Sequence, residues 1–144
     1  MIPRTRVLAL ALIVLAAGPT RAQGGGTPAC QTGTIQARDH KTRNEQLVRD
    51  YVAAMTSVRD AKAAGDMATA IQSLRQSRRI AGEFGPLMKA MRANAVDAHR
   101  HGCIGDALLA MSIEVTTVIA QTYRKLGDLA AQHERELRSQ TSRR

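Results

Sequence analysis

The chain has 144 residues, with 21 Lys or Arg against 12 Asp or Glu and a formal net charge of +9. Two tyrosines and one phenylalanine are its whole aromatic content, and tryptophan is absent. That supply excludes the aromatic platforms on which single-stranded nucleic acids and sugars stack. It leaves a core of Ala, Leu, Ile, Val and Met, a composition suited to close-packed helices.

The N-terminus reads as a targeting segment. MIPRTR carries Arg4 and Arg6, Val7 to Ala17 is an unbroken apolar run, Gly18-Pro19 breaks it, and Thr20-Arg21-Ala22 places small residues at a cleavage site. A basic head, a short apolar centre and small residues at the cut define a secretory signal peptide, residues 1–22. The run is too short to span a bilayer, which takes roughly 20 apolar residues. No later stretch is long and apolar enough for a transmembrane helix. The segment holds three basic residues, Arg4, Arg6 and Arg21, and no acid, so its removal lowers the formal charge from +9 to +6. The expected location is the periplasm or the exterior. There the remaining positive charge favours a protein partner or an anionic envelope surface over nucleic acid.

Residues 23–37 are rich in Gly and Thr and read as a flexible lead-in. Their GGG lacks the following Gly-Lys-Ser/Thr of a phosphate loop. Helical periodicity then predicts a first helix over 38–64, with Leu47, Tyr51, Met55 (or Ala54) and Val58 on one face. Gly65 ends it. Asp66 caps a second helix to about Ala81, with Met67, Ala70, Ile71 and Leu74 inward. Gly82, Gly85 and Pro86 predict a break, with Pro86 as first residue of a third helix that ends at Gly102. Ile104 to Leu126 has the widest apolar stripe, and a helix apolar over so much of its girth is central. Within it, Glu114 is expected to point outward. Gly127 predicts a stop, and Asp128 the cap of a fifth helix to about Gln140, before a basic tail, 141–144. No segment alternates with period two. The expected fold is all-α: a small antiparallel bundle of four to five helices over residues 38–140.

Gly-Asp recurs at 65–66, 105–106 and 127–128, a pattern in which a left-handed glycine ends one helix and a carboxylate caps the next. AKAAGDMATAIQSL and AQTYRKLGDLAAQ resemble tetratricopeptide helical hairpins. That resemblance implies paired helices with a peptide-binding groove.

Four constellations are candidates for function. Cys30 and Cys103 are the only cysteines, and in an exported chain two cysteines pair. The stretch HRHGC offers the alternative of a metal site on His99, His101 and Cys103, since imidazole and thiolate suit zinc and copper. On a continuous helix, residues two apart diverge by about 200°, so that set needs an unwound helix end. The helix order resembles the exported b-type four-helix cytochromes, which implies haem held between Met55 and His133. Finally, Arg75, Arg78 and Arg79 share one side of the second helix and, with Lys89 and Arg92, form an expected anion-binding patch. No catalytic motif is present: there is no G-x-S-x-G, and His133-Glu134 lacks the second histidine of a zinc protease helix. The main expectation is a non-catalytic binding or structural module, needing no cofactor, with a basic face for an anionic partner. The alternative is a metal or haem carrier.

Overall fold

The computed structural model describes residues 26–142. The expected signal peptide, the first residues of the lead-in and the two terminal arginines of the tail lie outside the described residues. Three long helices make up nearly all of the described chain: α1 (Pro28–Ala63), α2 (Met67–Arg100) and α3 (Asp106–Thr141). No strand occurs among the described residues. The all-α expectation holds. The count of four to five helices and the tetratricopeptide-like hairpins do not, because two expected breaks are absent.

The first is at Gly82, Gly85 and Pro86, which lie inside α2. A proline in a helix interior loses one hydrogen bond and crowds the preceding turn. It also crowds the Cβ of the residue before it. Here that residue is Gly85, which has no Cβ, and both Gly82 and Gly85 face open space. Phe84 and Met88, 0% and 1% exposed, anchor the helix on either side of the proline. Packing therefore carries α2 through a sequence that punctuates it. The second is Gly127, which lies inside α3. A Cβ built there would sit 3.5 Å from the Ala81 Cβ, so this glycine marks a close approach of α2 and α3 and not a helix end.

α1 also begins ten residues earlier than expected, and the lead-in from Pro28 onward is helical. Pro28 occupies the first helical position, where its missing N–H costs nothing. The Thr27 hydroxyl accepts a 3.3 Å hydrogen bond from the Cys30 amide, capping the first turn.

Two further punctuation marks act as read, whereas Gly105, expected as a left-handed helix end, does not have a positive φ. Gly65 and Gly102 have φ of +74° and +69°. At the first, the Asp66 amide donates to the Ala61 carbonyl (2.9 Å) and the Gly65 amide to Lys62 (3.1 Å). At the second, Cys103 donates to Ala98 (2.8 Å) and Gly102 to His99 (2.9 Å). Both are Schellman closures, which require a left-handed residue and favour glycine. Asp66 then caps α2 by accepting a 3.0 Å bond from the Thr69 amide. The Thr69 hydroxyl, donating at 2.6 Å, and then the Thr69 amide hold its carboxyl below the usual aspartate range.

The described chain divides into two compact units, residues 26–42 with 88–119, and residues 43–87 with 120–142. In the first unit, Asn94 donates to the Gly33 carbonyl (3.1 Å) and Arg92 to the Thr117 hydroxyl (2.6 Å). With Cys30 beside Cys103 and His99 beside Asp106, partners fall along one helix as they rise along the next, so sequential helices run antiparallel. Among its described residues the buried apolar side chains are Met88 and Ile119, while Ile35, Met111, Ile113 and Val118 are exposed. Glu114 is exposed, as expected.

In the second unit the same antiparallel order is set by Ser57 with Ser73 (2.8 Å) and by Arg43 with Glu83. Val58, Ala61, Ala70, Leu74, Ala130 and Leu137 form its core, with Met67 and Ile71 packed against them. All three aromatic residues meet here. Phe84 stacks on Tyr123 with ring centroids 3.4 Å apart, and Tyr51 meets Tyr123 edge-on at 5.3 Å.

Two measurements check this packing. Leu74 is 1% exposed, and Leu74→Ala is expected to lower the unfolding free energy by about 2–5 kcal/mol in urea titration. Burial raises both tyrosines above the ordinary value of 10.0, Tyr123 with a further contribution from Tyr51. A raised folded value means that the stabilisation is complete below the unfolded pKa and is lost as pH rises through the folded one. Tyrosinate absorbance is therefore expected at higher pH in the native protein than in urea, with loss of helix accompanying ionisation.

Candidate functional site

The HRHGC stretch ends α2. His99 and Arg100 are its last residues, and His101 to Cys103 form the Schellman turn that follows. Cys103 meets Cys30 in the first turn of α1 at disulfide distance, with Cα atoms 5.5 Å apart and a sequence separation of 73. His99 Nε2 lies 2.7 Å from Asp106 Oδ1 at the start of α3, and His101 Nε2 lies 3.7 Å from Asp97 Oδ1. The expected ligand set of His99, His101 and Cys103 is thus not assembled: each member faces a different partner. Among the described residues no three His, Cys, Asp or Glu side chains gather to hold a metal ion.

Met55 and His133 do line one groove, of about 390 Å³, together with Tyr51, Leu74, Leu126 and Leu129. Axial ligands in helical bundles project into the core. Here His133 is exposed and Leu129, at the groove's edge, is 59% exposed. The pair does not fit a haem enclosed by the bundle.

The expected basic patch is divided. Lys89 and Arg92 belong to the first unit, where Arg92 is spent on Thr117 and its buried Nε has no hydrogen-bond partner among the described residues. Arg75, Arg78 and Arg79 belong to the second unit, all exposed. Two of them converge on a group that the sequence reading passed over. Glu134 is spaced four from Ala130 and three from Leu137, both buried, so helical geometry points its carboxylate toward the α2 side of α3. Its side chain is only 9% exposed. A carboxylate so placed needs partners, and it has three. Arg75 Nε donates to Oε1 at 2.7 Å, Arg138 Nη2 reaches the same oxygen at 2.8 Å, and Arg78 Nη1 lies 3.8 Å from Oε2.

The i, i+4 spacing of Glu134 and Arg138 is a sequence signal for part of this cluster. Nothing local connects either residue to Arg75, which is 59 positions from Glu134. The outcome is three guanidiniums on one carboxylate, with a surplus of two positive charges. Each arginine side chain keeps more than half of its surface in solvent.

The cysteine geometry sets an expected outcome. In the protein recovered from an oxidising compartment, a thiol-alkylating reagent adds nothing until the chain is reduced and then adds two groups, read by intact mass. Reduction lowers stability by at most about 4 kcal/mol, the chain-entropy value for a loop of this length. No protein-family model, curated protein or solved structure matches the chain.

Proposed function

We propose that the chain is an exported, non-catalytic binding module whose second unit presents arginines to an anionic partner or surface. The Glu134 cluster carries this reading. Surface arginines scattered along a helix are ordinary solvated charges. Here three from two helices are gathered on one buried carboxylate that balances only one of them. Arg79, one residue from Arg78, adds to the same side of α2. The basic, apolar and small-residue order of residues 1–22 and the paired cysteines support the exported location. In that location anionic lipids, envelope polymers and acidic proteins are the available counterparts.

The test is cosedimentation with vesicles. Binding is expected to phosphatidylglycerol-containing vesicles and not to purely zwitterionic ones, and to weaken as salt shortens the screening length. Removing Arg78 and Arg79 together is expected to cost about 2 kcal/mol, at roughly 1 kcal/mol for each basic residue near an anionic surface. Equal binding to zwitterionic vesicles, or none to either, overturns the reading.

A further inference from the structure

The Glu134 cluster also specifies what kind of anion it takes. Each guanidinium has five N–H donors in a rigid fork. Arg75 directs Nε, and Arg138 one terminal nitrogen, at Glu134 Oε1. Arg78 stands at 3.8 Å, within ion-pair range and beyond a hydrogen bond. One carboxylate offers about four lone-pair sites, far fewer than the donors around it. Donors therefore remain on all three guanidiniums, and the side chains that carry them are 54%, 58% and 53% exposed for Arg75, Arg78 and Arg138. Left to themselves, three like charges separate. The buried carboxylate holds them about a single point.

We infer that Arg75, Arg78 and Arg138 form a site for a dianionic tetrahedral oxyanion of the phosphomonoester class, with Glu134 as the positioning residue that gathers them. The inference rests on the anion-directed reading of this face and narrows it. A phosphomonoester carries about −1.5 to −2 charge near neutral pH and three acceptor oxygens. That matches both the surplus of two positive charges and the forked geometry of guanidinium. A phosphodiester headgroup carries one charge and matches a dispersed basic face better than this focus.

The test uses the full mature chain and inorganic phosphate, followed by heteronuclear NMR of backbone amides and arginine Nε groups. Phosphate is expected to shift the Arg75, Arg78 and Arg138 resonances saturably, while chloride at equal ionic strength does not. Arg138→Ala is expected to weaken binding about tenfold, the worth of one charge-assisted contact. Arg138→Lys retains the charge without the fork and is expected to lose most of the same affinity. Arg100→Ala, on an exposed arginine outside the cluster, is expected to leave it unchanged.

Glu134→Gln separates positioning from charge. It raises the local positive charge, so a purely electrostatic site binds phosphate more tightly. A site gathered by Glu134 binds it more weakly. Tighter binding overturns the role of Glu134. Identical shifts with chloride, or equal losses in Arg138→Ala and Arg100→Ala, overturn the site.

Vesicles then identify the source. Preference for phosphatidic acid over phosphatidylglycerol at equal surface charge assigns a lipid monoester headgroup. Phosphate binding without that preference assigns a soluble phosphate ester. Both outcomes uphold the site. Vesicle binding without saturable phosphate binding leaves the anionic-surface reading intact and sinks the dianion site. Loss of both sinks the two together.

Discussion

Close approach of helix backbones is the constraint on which the second unit depends. Many of its inward positions carry small side chains: Ala54, Ala61, Ala70, Ala81 and Ala130, with Ser73 and Ser77, are all buried. Gly127 against Ala81 is the extreme case. Small residues bring little apolar area each, so most of the buried apolar area comes from the larger ones between them, Leu47, Tyr51, Val58, Leu74, Ile80, Phe84 and Leu137. Buried serines need partners at this density. Ser77 finds one in the Leu74 carbonyl of its own helix, and Ser73 in Ser57 across α1 and α2. Besides Tyr51, Glu134 is the buried ionisable side chain among the described residues of this unit. Glu134 is accommodated because the arginines that meet it come in from the rim.

How much of this was legible in the sequence depended on the range of the interaction. Helical type was written in local periodicity and in the absence of strand alternation. The turns at Gly65 and Gly102 were legible because a Schellman closure involves six consecutive residues and needs a left-handed one. Thr27-Pro28 is an equally local helix start, but the surrounding Gly and Thr residues masked it. Gly85-Pro86 and Gly127 read as stops because the same residue types that end helices also relieve crowding inside them. The difference lies in neighbours far along the chain. Gly127 faces Ala81, and the flanks of Pro86 are pinned by Phe84 and Met88, which no window around those glycines reveals.

The candidate site divides in the same way. Arg75 and Arg78 share a helix side by spacing alone, and Cys30 with Cys103 followed from compartment chemistry. Glu134 did not, because its significance comes from burial, and burial is a tertiary property. The histidines of HRHGC went the other way. They looked like a set in one dimension, yet His99 turns to Asp106 and His101 to Asp97. Proximity along a chain is weak evidence for a shared ligand where a helix ends between the residues.

The cysteine pair has a consequence for mechanics. Cys30 lies in the first turn of α1 and Cys103 just beyond the end of α2. The link, once closed, makes those two helices opposite sides of a single covalent ring, joined at one end by the Gly65 turn and at the other by sulfur. Neither can slip past the other by a helical turn, about 5.4 Å, without breaking a bond. α3 lies outside the ring, joined to it covalently through residues 104 and 105 and otherwise by packing and polar contacts. The ring fixes the register of the other two helices and places no such covalent limit on α3. Half of the arginine cluster, Glu134 and Arg138, lies on it, so the cluster is complete only while α2 and α3 are packed together. An anion held there, as proposed, would bind α2 and α3 together.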